Sequence, residues 1–182
     1  MTTYKHIRDG EIIDSRDTTD ELLISKMVAK GWLPYVDEEP EFNADTQYLT
    51  SEIVIGEDAV TKTYTVNDYS AEELAPRLTE EQTSILTQIN NDVNTYINNY
   101  YDVGTQQSFT AVYVKYNTDE VKNYLNPVWD WINTIMVYYY GKKQTIVDAA
   151  NITTLKAITW DFTTFDATKP DVSLQALMAS LA

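Results

Sequence analysis

The chain contains no cysteine, one histidine (His6), and only five glycines and five prolines in 182 residues. Without cysteine there are no disulfides, thiolate metal sites or thiol nucleophiles, which fits an intracellular origin. A Ser–His–Asp triad would have to recruit His6 from a short N-terminal strand and hold it with a third group; a strand histidine facing solvent is the better reading. Multi-histidine zinc sites are excluded by count. No Walker A loop or G-x-G-x-x-G stretch occurs, so no phosphate cradle of the usual kind is expected. No apolar run is long enough to cross a bilayer, and "MTTYKHIRDGEIID" has no apolar signal core.

Bases are also scarce, 13 against 28 acids, for a net charge of −15. The imbalance is concentrated early. Residues 1–82 carry 19 acids and 7 bases, residues 83–182 only 9 and 6. Phosphate-backbone binding needs clustered Lys and Arg and is disfavoured.

What is present is apolar and aromatic. Hydrophobic residues make up 43% of the chain, enough for a core, and include 14 tyrosines and four tryptophans. The start reads as a hairpin around Asp9-Gly10, followed by a helix with Thr18 and Glu21 as a capping box and Gly31 as its stop. "WLPYV" reads as a short strand that Pro34 places at an edge. An acidic loop, "DEEPEFNADTQ", leads to two strands around Gly56–Asp58. That loop lacks the spacing of a calcium loop.

Ser70 with Glu73 caps a turn that Pro76 should end or kink; Thr79 with Gln82 caps the next helix, to about Tyr101. Its seam is Leu86, Ile89, Val93, Tyr96 and Tyr100. Gly104 reads as a break, and "TQQSFTAVYVKY" reads as a short helix with Phe109, Val112, Tyr113 and Tyr116 on one face, or else as a strand, the helix being favoured. Asn117 with Glu120 opens the longest periodic segment, expected to stop at Gly141.

In that segment Val121, Leu125, Val128, Ile132, Ile135 and Tyr139 alternate four- and three-residue steps. Tyr124, Trp131 and Tyr138 repeat on one flank, Trp129 and Met136 on the other. So wide an apolar arc belongs against two neighbours. The last forty residues mix short helical signals with an extended "TWDFTTF", and Asp171 is a candidate cap for a final helix.

The expected fold class is α+β, mainly α: a small acidic β-rich head over 1–75, an antiparallel helical bundle over 76–142, and an irregular aromatic tail over 143–182. The tail should pack on the bundle or on a neighbouring subunit. The candidate interface is Tyr124, Trp131, Tyr138, Trp160, Phe162 and Phe165. Asp130 and Asp161, each between aromatics, are the best-placed acids for glycosidic hydrolysis. An outward helix residue and a turn aspartate are the better readings of them, so no enzyme, cofactor or metal is expected.

The order of the pieces carries a resemblance. A capped helix ending in "KGWLPYVDEEPEFNADTQYL" precedes the hairpin "EIVIGEDAVTKTYTV", then "SAEEL", then a helical body and the closing "AITWDFTTFDATKPDVSLQALM". This resembles small structural proteins of bacteriophage virions from the tail and tail-fibre region. The resemblance implies a virion location after synthesis in the bacterial host cytoplasm. It implies other virion proteins as partners, a homo-oligomer, and neither nucleic acid nor membrane insertion. It transfers no functional residue. The alternatives are a carbohydrate-binding module using exposed aromatics and an acidic nucleic-acid mimic.

Overall fold

The computed structural model describes residues 1–181. The protein is mixed α and β with helix predominating, and divides into two compact units, Met1–Leu74 and Ala75–Ala182.

The first unit is built on five strands: β1 Thr2–Arg8, β2 Glu11–Thr18, β3 Trp32–Asp37, β4 Gln47–Ile55 and β5 Val60–Asp68. Their order is β2-β1-β3-β5-β4. Asp9 (φ 55°) and Gly10 (φ 82°) both take the positive φ of a tight hairpin turn, so β1 and β2 pair antiparallel. Helix α1, Glu21–Val28, is capped by Asp20, whose carboxylate accepts from the N–H groups of Leu22 and Leu23. The cap therefore lies two residues past Thr18. Gly31 (φ 85°) ends the segment in the left-handed region, and its N–H reaches Val28 O.

β3 is central, not an edge strand, and this corrects the reading of Pro34. Residues 32–34 pair antiparallel with β1, and residues 35–37 pair parallel with β5. Pro34 sits where the strand changes partner, so its missing N–H interrupts neither ladder in mid-run. The core of this unit is small: Tyr4, Met27 and Trp32, with Leu23 and Ile24 packed on them. His6 stacks on Trp32 with ring centres 4.9 Å apart, where the sequence had suggested a histidine facing solvent.

Helix α2 runs unbroken from Ala71 to Tyr100. Ser70 and Glu73 form the capping box: Glu73 N–H donates to Ser70 Oγ, and Ser70 N–H to the Glu73 carboxylate. Pro76 does not end the helix, so Thr79 and Gln82 have no helix start to cap. The Thr79 hydroxyl donates to Ala75 O, and the Gln82 amide donates to Ile146 O and Val147 O instead. Asp102 caps α3, Val103–Tyr116, and Gly104 lies inside it. Asn117 (φ 46°) closes α3 in the left-handed region, and Thr118 caps α4.

α4 runs Asp119–Val147, straight through Gly141. Glycine lowers helix propensity by only about 1 kcal/mol, and the packing on either side outweighs that. The buried row of α4 is Val121, Leu125, Val128, Trp131, Ile135, Tyr139 and Ile146. Ile132 is only partly buried. The buried arc is thus turned by about one residue toward the aromatic flank. On α2 the buried row is Ile89, Val93 and Ile97, extended by Tyr101 just past the helix end. It follows four-residue steps in place of the heptad, which turns Tyr96 and Tyr100 onto an adjoining row.

After α4 come α5 (Ile152–Lys156), a 3-10 turn (Thr163–Thr168) and α6 (Leu174–Ser180). "TWDFTTF" is therefore partly helical, and the last helix is capped by Ser173 rather than Asp171. Leu155, Phe162 and Leu177 enter the same core as Phe109, Leu125 and Ile135. Each fully buried apolar side chain of this size contributes about 1.5–3 kcal/mol.

Candidate functional site

The aromatic residues of the second unit converge on Trp131. Tyr96, Tyr100 and Tyr101 of α2 and its end lie around it, with ring centres 5.7–5.8 Å away. Residues 158–174 close the other side. Phe162 stacks on Tyr96 and meets Tyr138 edge-on, and Phe165 meets Tyr138 at 5.5 Å.

This C-terminal segment has little regular secondary structure, so side chains of the helices satisfy part of its backbone. The Trp131 indole N–H donates to Phe165 O at 3.0 Å. Lys142 Nζ donates to Thr159 O, and the Tyr138 hydroxyl accepts from Asp161 N–H. The Tyr101 hydroxyl donates to Pro170 O, and the Tyr124 hydroxyl accepts from Ser173 N–H. The Trp160 indole N–H donates to Asp92 Oδ2 on α2 at 2.9 Å.

Of the six candidate interface residues, Trp131, Tyr138, Phe162 and Phe165 are thus brought into one cluster. Trp160 sits at its margin against α2, and Tyr124 lies apart beside Ser173. Trp131 and Phe162 are 4% and 6% exposed. Of the two covers expected for this flank, the chain's own tail or a neighbouring subunit, the chain's own C-terminal residues supply one, and they bury Trp131. The reason is geometric: a segment of this length with apolar residues at intervals can lie across the helices at far less entropic cost than a separate chain.

Sequence reasoning missed the focal carboxylate. Asp166 accepts from both the Tyr96 and Tyr100 hydroxyls, at 2.6 and 2.8 Å. The i, i+4 spacing of these tyrosines was the available signal, but the heptad reading had assigned both to the seam. The two hydrogen bonds, Tyr96 first, hold the Asp166 carboxyl below its ordinary value of 3.8. Burial, then the bond to Asp166, pushes the Tyr96 phenol far up.

A cleft of about 320 Å³ opens beside this cluster, lined by Asp92, Thr95, Tyr96, Asn99, Trp160, Asp161, Phe162 and Thr163. Asp161 Oδ1 accepts from the N–H and hydroxyl of Thr163, the turn role anticipated for it. Asp130 is exposed on α4, and its carbonyl accepts from the Thr134 hydroxyl. A second, more apolar groove of about 620 Å³ runs along α3 between Val103, Val114 and Trp129. In the first unit, Asp37 accepts from the Tyr64 and Tyr35 hydroxyls and lies 3.9 Å from Lys62. Among the described residues, no three His, Asp or Glu side chains are grouped to hold a metal ion.

Acid should destabilise the protein through named groups. The carboxyls of Asp37, Glu73, Asp102 and Asp166 all lie below their ordinary values, led respectively by hydrogen bonds from Tyr64, from Ser70, from Thr105 and from Tyr96. A lowered carboxyl pKa stabilises the folded state above the unfolded value, and that stabilisation is lost as pH falls through the folded value. The thermal midpoint is therefore expected to hold from neutrality to just above the ordinary values of 4.5 and 3.8, and to fall below them. An Asp166→Asn variant should show a shallower acid limb. Superimposable limbs for the variant and the parent would remove Asp166 from the account.

Comparison with protein-family models, curated proteins and solved structures found no match.

Proposed function

We propose that the chain is a structural, protein-binding component of a bacteriophage particle, tail- or fibre-associated, with an acidic β-rich head and an antiparallel helical bundle as its body. The order of pieces in the sequence supports this reading, and one structural observation carries it furthest. β4 is the outer strand of the sheet, paired on one side only. It is nine residues long and ends in Ile53, Val54 and Ile55, which are 54%, 46% and 37% exposed. A long apolar edge is a template for strand pairing. The opposite edge strand, β2, carries Asp14, Arg16 and Asp17, and β1 beside it has a register shift at His6/Ile7.

The occupant of β4 in this reading is an extended segment of another virion protein with Lys or Arg beside its apolar residues. Glu52, Glu57 and Asp58 flank the apolar stretch and would repel a second copy of the same acidic strand. Homo-oligomerisation belongs to the proposal through surface other than the covered aromatic flank. Light scattering on the purified chain reads it. Nucleic acid and membrane insertion have no part in the proposal; among the described residues no helix is long and apolar enough to cross a membrane.

Mass spectrometry of gradient-purified particles should find the chain at constant stoichiometry to the major tail proteins. A chain abundant in infected cells but missing from particles and from assembly intermediates would end the reading. The double variant Ile53→Lys, Val54→Lys changes exposed positions, so it should fold and fail to enter particles. Normal incorporation would remove β4 as the docking edge.

A further inference from the structure

We infer that the cleft between α2 and residues 160–163 is a binding site for an uncharged oligosaccharide. The inference stands apart from the particle assignment, because it rests on the chemistry of the cleft alone.

The aromatic walls are held with their polar edges already engaged. The Tyr96 hydroxyl is tied to Asp166, and the Trp160 indole N–H to Asp92. Tyr96 and Phe162 are stacked at 5.8 Å with 27° between their planes. The stacked faces of Tyr96 and Phe162 cover each other and Phe162 is only 6% exposed, so the carbon surface left to the cleft is that of the half-buried Tyr96 and Trp160 rings. Flat carbon surface packs well against the C–H faces of a pyranose ring.

The remaining lining suits hydroxyl groups. Thr95 and Asn99 stand on the exposed side of α2, one turn apart, and Thr163 faces them from the C-terminal segment. The Thr95 hydroxyl and the Asn99 carboxamide both donate and accept, as sugar hydroxyls do, while the Thr163 hydroxyl, which donates to Asp161, is left as an acceptor. Asp92 and Asp161 add acceptors, each already holding one oxygen in a fixed hydrogen bond that orients the carboxylate.

Charge narrows the class further. The cleft is lined by two carboxylates and by no Lys, Arg or His. A phosphate, sulfate, uronate or sialate would meet like charge with nothing to neutralise it. A basic peptide would gain from the carboxylates, but it would leave the carboxamide and hydroxyls of Asn99, Thr95 and Thr163 without matched donors and acceptors. At about 320 Å³ the cleft is small and takes a short stretch of a sugar chain whose ends stay in solvent. Such a shallow site implies a dissociation constant on the order of 1 mM for a single chain.

The test uses the full-length chain with maltotriose and triacetylchitotriose as neutral probes, 3′-sialyllactose as the anionic one and a Lys-rich peptide as the basic one. Saturation-transfer NMR reads the contacts and tryptophan fluorescence the affinity. At least one neutral probe should saturate, with transfer from aromatic protons, and sialyllactose should not. Asn99→Ala and Thr95→Ala alter exposed side chains and should each weaken binding about threefold to tenfold at an unchanged thermal midpoint. Tyr140→Ala, exposed on α4 outside the cleft, should leave affinity unchanged. The inference is overturned if neither neutral probe saturates below about 10 mM, if the cleft variants bind as the parent does, or if the peptide alone binds.

Discussion

Trp131→Ala is expected to destabilise the second unit by about 3–5 kcal/mol, the range for removing a large buried aromatic. The ring is 4% exposed and touches three tyrosines of the α2 end. Truncation also removes one of the two side-chain donors to Phe165 O, leaving the Thr168 hydroxyl, so the lost hydrogen bond adds only about 0.5–1.5 kcal/mol. Trp131→Phe separates the two contributions, since it keeps much of the carbon surface and loses the N–H. Its cost should fall well below that of alanine. Urea unfolding, followed by circular dichroism, supplies both values from the midpoints at a shared slope. The exposed neighbour substitution Asn133→Asp should stay within about 0.5 kcal/mol of the parent. An alanine cost under about 1 kcal/mol would mean that Trp131 is not the hub of this core.

The second large effect is expected from truncation after Ala157. This removes Trp160, Phe162, Phe165 and Leu177 from a core that otherwise closes over Trp131 and Tyr138. Phe162 and Leu177 alone account for about 3–6 kcal/mol of apolar burial at 1.5–3 kcal/mol each. That is a large share of the 5–15 kcal/mol typical of a whole domain. The exposed patch would then be of the size that drives association. The truncated chain should lose its sharp thermal transition, bind a hydrophobic dye and scatter light as an oligomer or aggregate. A monomer with an unchanged transition would show that residues 158–181 lie on the helices without supporting them. Adding residues 158–181 back as a separate peptide should restore the transition in part, because the hydrogen bonds from Trp131, Lys142 and Tyr138 recognise its backbone.

Several elements were legible from the sequence because their causes are local. A left-handed pair at Asp9-Gly10 requires a tight turn wherever it lies. The Ser70–Glu73 box is formed by atoms within one helical turn. Phe109, Val112, Tyr113 and Tyr116 share a face by helical spacing alone, and they pack into the core together. Asp161 acts within its own turn, as its flanking residues suggested.

The candidate site was legible only as composition. Trp160, Phe162 and Phe165 announced a segment that needed a surface, without saying whose surface it would be. Asp92, Asp166 and the row of Tyr96 and Tyr100 had no signal stronger than spacing. Their partners lie about seventy residues away in sequence, at the far end of hydrogen bonds to Asp166 and Trp160.

By itself the sequence determined the mixture of strand and helix, the Asp9-Gly10 turn, the Ser70–Glu73 cap and the scarcity of base, since each depends on composition or on neighbours within a few residues. Only the tertiary structure decided the rest. It placed β3 in the middle of the sheet in spite of Pro34, and carried α2 through Pro76 and α4 through Gly141. It also turned the buried arc of α4 from Ile132 to Trp131. Pro76 and Gly141 each go against a helix preference worth about 1–3 kcal/mol, which packing contacts distant in sequence outweigh. The aromatic flank became core for the same reason. The energy of burying it depends on what lies against it, and no property of residues 124, 131 and 138 specifies that residues 158–174 of the same chain will do so.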